Sequence, residues 1–124
     1  MTPPARVPLA ERLAQALRSS WSRESSSLWT LQNPARGQCG VTSLVVQDLL
    51  GGAILKTRVG DSWHFYNQVD GERMDLTAEQ FQEAIVYSDL PSGREEAFSD
   101  TNPAQYAHLR EAVRRVLSVE AAGE

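Results

Sequence analysis

Leu9, Leu13, Leu17 and Trp21 recur every fourth position through "LAERLAQALRSSW", with charged and small residues between them. That spacing places four bulky apolar side chains on one stripe and predicts a core-facing first helix from Leu9. The prolines of "MTPPARVP" before it predict a flexible or extended start over residues 1–8. "SRESSSLWTLQNPARGQ" then shows no periodicity, yet it carries Leu28, Trp29 and Leu31. A solvated linker has no use for such anchors, so this long connection is expected to pack on the domain. A second helix is predicted from Cys39 to Leu50, with Val41, Leu44, Val45 and Leu49 as its main apolar face. Val46 and Leu50 widen that face, which predicts a helix buried on more than one side. Gly51 and Gly52 supply its left-handed stop.

Alternation replaces helical spacing in "AILKTRV", "SWHFYNQV" and "ERMDL", which predict three strands. The last two flank Asp70-Gly71, a strong signal for a two-residue hairpin loop. Such a loop pairs Val69 with Glu72 and sets Tyr66 opposite Asp75. His64, Tyr66, Gln68, Arg73 and Asp75 then share one face, with Trp63 and Phe65 on the other as core. "TAEQ" predicts a capping box, with Thr77 as cap, opening a short helix over "AEQFQEAIVY". "SDLPSGREEAFSDT" reads as a loop. Asn102 and Pro103 announce a final helix striped by Tyr106, Leu109, Val113, Val116 and Leu117. The expected fold is α+β, in the order ααβββαα.

Composition narrows the function. The chain has 124 residues, with neither internal repeat nor domain linker, and is expected to form a single domain over residues 1–124. Its formal charge is −4 and it has no cluster of Lys and Arg, so neither nucleic acid nor a membrane surface is an expected partner. One cysteine cannot form an internal disulfide. "MTPPARVPLAERL" lacks the apolar core of a signal peptide, and no apolar run approaches the roughly 18 residues of a membrane span. The expected location is the cytoplasm. His64 and His108 are the only histidines and stand at no ligand spacing, so neither metal nor other cofactor is expected.

The lone cysteine stands at the start of the second helix, in "GQCG". Unpaired N–H groups and the positive end of the dipole there favour a thiolate. A lone cysteine is more often an inert small hydrophobe, and taken alone Cys39 would be read so. The hairpin shifts that balance. It sets His64 diagonally from Asp75, about 7–8 Å between backbones, within reach of a side-chain hydrogen bond. Thr77 is the better placed helix cap, which frees Asp75 from that duty. The three residues together predict a Cys39–His64–Asp75 triad: nucleophile, general base and orienting carboxylate. The Cys39 N–H is one oxyanion donor, and Gln38 or Asn33 is the candidate second. Arg36 and Arg73 are candidate carboxylate binders but are read first as solvated surface residues. His108 is read as a surface residue of the last helix, and Trp29 as packing.

At these residues the chain resembles known families. "GQC" opening an apolar helix, the "WHFYN" strand and the "MDLT" strand end resemble the transglutaminase-like and papain-like cysteine folds. More narrowly, "SWS", "NPARGQCGVTSLVVQDLLGG", "HFYN", "DLT" and the late "NP" look like the YunG-like family of small bacterial proteins. That similarity spans roughly residues 20 to 110. The resemblance implies a nucleophile-bearing helix packed on a small antiparallel sheet, with Cys39, His64 and Asp75 at the triad positions. The oxyanion glutamine of papain-like enzymes lies several residues before the cysteine, where this chain has Gln32 and Asn33.

The leading expectation is a thiol enzyme acting on an amide or acyl bond of a peptide, a protein side chain or a small molecule. Peptidase, amidase, deamidase and transglutaminase-type chemistry share one acyl-enzyme, so the residues do not separate hydrolysis from acyl transfer. The alternative is a non-catalytic binding module that keeps the fold and uses its cleft for recognition.

Overall fold

The computed structural model describes residues 8–122, so most of the expected flexible start lies outside the described residues. Helix α1 runs over Leu9–Ser20 and α2 over Cys39–Leu50. Strands β1 (Ala53–Val59), β2 (Ser62–Val69) and β3 (Glu72–Met74) follow, and then a 3₁₀ turn, Ala78–Gln80. The chain continues through β4 (Leu90–Ser92), α3 (Arg94–Phe98) and α4 (Pro103–Ala122). The four strands form one antiparallel sheet in the order β3-β2-β1-β4.

The β2–β3 hairpin has the expected register, with Val69 opposite Glu72 and Asn67 opposite Met74. Asp70 and Gly71 both take positive φ, 53° and 79°, as a turn matched to strand twist requires. The predicted helix over residues 78–87 is not formed. Only the 3₁₀ turn is helical, and Thr77 makes no side-chain cap. Residues 81–89 instead cross the sheet face made by Leu55, Thr57, His64 and Tyr66. Thr57 anchors that crossing: its hydroxyl donates to the Val86 carbonyl and accepts from the Ser88 N–H. Pinning by the sheet outweighs the weak local helix preference of so short a segment. The segment expected to be a loop before α4 holds two elements instead, β4 on the open edge of β1 and the short helix α3. Asn102 caps α4 as expected, its Oδ1 accepting from the Gln105 N–H at 2.8 Å.

Helix α2 packs on the other sheet face. Every residue from Cys39 to Val46 is buried, as the breadth of its apolar face requires. One side meets Leu13, Leu17 and Trp21 of the α1 region and Leu109 and Val113 of α4. The other side meets Ile54 and Phe65 of the sheet and Ala97 of α3, with Cys39 and Leu44 contributed by α2. Leu49, expected on the main face, lies in the last turn of α2 and is exposed. Leu28 and Leu31 are exposed too; Ala35, fully buried, and Trp29, partly buried, anchor that connection to the core. Among the described residues no helix is long and apolar enough to cross a membrane.

Candidate functional site

Strand β3 stops at Met74, opposite Asn67, and leaves the β2 edge unpaired towards Phe65. The N-terminus of α2 fills that gap, so the Cys39 sulfur faces the backbone amide of Phe65. His64 is the neighbouring residue on β2, and its side chain leaves on the face covered by residues 81–89. His64 and Asp75 thus meet on one face, while Cys39 lies against the backbone of Phe65, the residue next to His64, from the face on which α2 packs.

His64 and Asp75 form the tightest part of this arrangement. The His64 Nε2 lies 2.6 Å from Asp75 Oδ2, and the two side chains are only 1% and 5% exposed. A carboxylate only accepts, so Nε2 carries the proton and donates it to Asp75. In the neutral ring Nδ1 is then the bare acceptor, and it is buried without a hydrogen-bond partner. Phe81 meets the ring edge-on at 5.0 Å and Tyr66 stacks at 5.8 Å, which fixes its plane.

Asp75 does more than orient the imidazole. Its Oδ2 also accepts from the Tyr87 hydroxyl at 2.8 Å, and its Oδ1 accepts from the N–H and hydroxyl of Thr77. The turn duty expected of Thr77 therefore falls on Asp75, because a carboxylate has enough lone pairs to serve all four donors. Burial, and secondly the bond to Asp75, pushes the Tyr87 phenol well above its ordinary value. Nothing in the sequence marks Tyr87, which falls at the end of the predicted helix over residues 78–87.

Cys39 departs from expectation. Its thiol donates to Asp100 Oδ2 at 3.4 Å, and the Gly40 N–H donates to the same oxygen at 3.1 Å. Among the described residues the thiol has no hydrogen bond to His64. Burial, and secondly the Asp100 charge, pushes the thiol up to about 12. The amides of Phe65 and Gly40 act in the opposite direction but do not prevail. The helix start does not bring a thiolate here: Cys39 is only 7% exposed, and burial is the largest influence on its thiol. Burial raises the Asp100 carboxyl as well, offset in part by the thiol, the Gly40 amide and the nearby His64. Nothing in the sequence flags Asp100, which reads as a turn residue before Asn102-Pro103. Gly40 is the clue that remains: a Cβ there would sit 2.6 Å from Asp100 Oδ2 and 2.9 Å from the Ala97 carbonyl oxygen.

Neither candidate second oxyanion donor faces the thiol with a free amide. Gln38 is fully buried and its Nε2 is directed to the Ser22 carbonyl at 3.4 Å. Asn33 donates through Nδ2 to the Gln80 carbonyl at 3.0 Å, on the rim of a cleft of about 650 Å³. Arg73 is held by Asp89 at 2.5 Å, whereas Arg36 lines that cleft. Phe81, which meets His64, also lines the cleft. His108 lies on the exposed surface as expected, near the Ser22 hydroxyl at 3.5 Å.

The raised thiol predicts a loss of stability on the alkaline side. Its folded pKa exceeds the unfolded value of 9.0, so its contribution is complete below pH 9 and disappears as pH rises towards 12. Tyr66, raised to about 12 mainly by burial, adds to the loss above pH 10. Urea midpoints should therefore fall from pH 9 upward, and Cys39→Ser should flatten the first part of that fall. Equal slopes in both proteins between pH 9 and 10 would assign the loss elsewhere.

The family model described as "YunG protein" matches residues 9–118. A relative from Bacillus subtilis (strain 168), "Uncharacterized protein YunG", is 59% identical over 105 residues, which cover 85% of this chain and 91% of the relative. No solved structure matches. A family model spanning most of the chain and this level of identity lead to one conclusion: the protein belongs to the YunG family.

Proposed function

We propose that Cys39, His64 and Asp75 form a thiol-dependent acyl-transfer or amide-hydrolysing centre. The observation that carries this reading is the buried 2.6 Å His64–Asp75 pair, whose unpartnered Nδ1 stands on the strand beside a helix-start thiol. In the reaction Nδ1 takes the thiol proton while sulfur bonds to the acyl carbon of the substrate. The C–N bond then breaks, and the imidazolium returns its proton to the departing amine. Water or a second amine attacks the thioester, Nδ1 removes the attacker's proton, and the sulfur leaves and is reprotonated. The Asp75 carboxylate stabilises the charged ring throughout.

The resting thiol is neutral and bonded to Asp100, so this sequence requires Asp100 to withdraw. That movement releases the thiol and the Gly40 N–H together, and the freed amide joins the Cys39 N–H as an oxyanion donor. A thiol at the start of a helix packed on an antiparallel sheet, with histidine on an adjacent strand, supports a papain-like or transglutaminase-like fold. A working thiol must stay reduced, which fits a cytoplasmic setting.

One observation favours a second reading. A buried cysteine whose thiol is bonded to Asp100 rather than His64 suits a non-catalytic binding module. Incubation with p-nitrophenyl acetate and mass analysis of the peptides separates the two. The enzyme reading expects an acetyl group on Cys39 of the native protein, formed about 100-fold or more slowly in His64→Ala. Acetylation of Cys39 only after unfolding would overturn the enzyme reading and leave Cys39 as a buried small hydrophobe.

A further inference from the structure

Tyr87 reaches the His64–Asp75 pair from residues 81–89, a segment that belongs to neither helix nor strand. Its hydroxyl donates at 2.8 Å to Asp75 Oδ2, the same oxygen that accepts the His64 Nε2–H at 2.6 Å. Neighbouring side chains fix the phenol in this position. The Tyr66 ring meets it edge-on at 5.0 Å, and the Arg73 guanidinium lies over it at 4.3 Å. Arg73 is itself paired with Asp89, whose N–H donates to the Tyr66 hydroxyl.

Two donors on one oxygen share its negative charge. A carboxylate that already receives an O–H proton is a weaker partner for an imidazolium than an undivided one. The O–H dipole also turns its positive end towards the pair. Both effects oppose protonation of the ring at Nδ1. Burial holds the phenol above its ordinary value, so its hydroxyl remains a donor throughout the range in which a histidine titrates. The other groups that face the ring do not replace it. The Asp100 carboxylate, from the α3–α4 connection, favours a charged ring. The Cys39 thiol from α2 and the stacked Tyr66 phenol from β2 are neutral at ordinary pH, and Phe81 is apolar. Two carboxylates thus draw a proton onto the ring, and the Tyr87 hydroxyl offsets the nearer one.

We propose that Tyr87 is a positioning residue: it holds Asp75 Oδ2 on the His64 Nε2–H and moderates its pull, so that Nδ1 stays a bare acceptor at rest. Its part in catalysis rests on His64 being the base of the centre proposed above; its hold on the ring does not. A general base must be unprotonated before it can take a proton, yet its charged form must still be stabilised as the reaction proceeds. An Asp75 shared between Tyr87 and His64 meets both needs.

Ring-nitrogen resonances of protein carrying isotope-labelled histidine, followed across pH, test this. A His108→Gln background leaves His64 as the single histidine. Above its midpoint the ring should carry its proton on Nε2 and leave Nδ1 bare. Tyr87→Phe keeps the aromatic ring and removes the hydroxyl. The same tautomer should persist there, and the midpoint should rise by about half to one pH unit, which is roughly three- to tenfold in proton affinity. Tyr66→Phe separates this effect from loosening of the segment. It frees Asp89 but leaves the Tyr87 hydroxyl on Asp75, so the midpoint should keep its native position. In Tyr87→Phe the pH at which Cys39 acetylation reaches half its plateau should rise with the ring. An unmoved or lowered midpoint in Tyr87→Phe, or an equal rise in Tyr66→Phe, would overturn the inference. A rise in the ring midpoint that Cys39 acetylation does not follow would keep the hold of Tyr87 on the pair and overturn His64 as the base.

Discussion

Asp75→Ala is expected to destabilise the protein by about 3 kcal/mol or more, from the lost charge-assisted hydrogen bonds and the buried donors left behind. The truncation strands the His64 Nε2–H, the Tyr87 hydroxyl and the Thr77 N–H together. It also loosens residues 81–89, because Tyr87 is one of the few links between that segment and the end of β3. Asp75→Asn should fall between the two proteins. Its oxygen can still serve Thr77, but its NH₂ group confronts the Nε2–H and the phenol. The ring can relieve that clash by moving its proton to Nδ1, which removes the base that the acyl chemistry needs. Asp75→Asn should therefore lose at least 100-fold in Cys39 acetylation while remaining folded. Urea titration reads the first effect and peptide mass analysis the second. A loss below about 1 kcal/mol for Asp75→Ala would show that solvent replaces the carboxylate and that the pair is not a buried anchor.

Asp100→Asn should do the opposite to Cys39. The neutral amide can keep an oxygen towards the thiol and the Gly40 N–H, yet it removes the charge that opposes a thiolate. Burial remains, so the thiol stays above its ordinary value. A fall of about one pKa unit corresponds to tenfold more thiolate, and alkylation by iodoacetamide near pH 8 should accelerate on the order of tenfold. Gly40→Ala gives an independent check, since its Cβ displaces the α3–α4 connection from the thiol. Overpacking there should cost about 1–3 kcal/mol and speed labelling as well. An unchanged rate in Asp100→Asn would mean that burial alone governs the sulfur, and Asp100 would lose its place as the group that must withdraw.

Local pattern carried much of the fold. Both N-terminal helices and the first two strands lie where spacing and alternation place them, because each has a strong period and a defined stop. The Asp70-Gly71 turn fixed the β2–β3 register as far as Met74; the expected pairing of Tyr66 with Asp75 lies beyond the strand, and Asp75 meets His64 from the turn that follows. Their hydrogen bond also needs the Thr77 N–H and hydroxyl, which hold the Asp75 carboxylate in that turn. The segment after β3 was illegible for the converse reason. Residues 78–87 have helical spacing but too few residues to hold a helix alone, and contacts with Thr57, Tyr66 and Asp75 decide their path. Strand β4 and helix α3 are equally short and exist because β1 offers an open edge and α2 an apolar flank.

The sequence by itself determined the helix-start cysteine, the histidine strand and the carboxylate that meets the histidine, since these depend on nearest-neighbour geometry. Only the tertiary structure decided the state of the sulfur. Asp100 reaches Cys39 from far along the chain, and the surrounding core strips the thiol of water. Desolvation is a property of everything packed around a group. No local motif encodes it, and here it is the largest influence on the thiol.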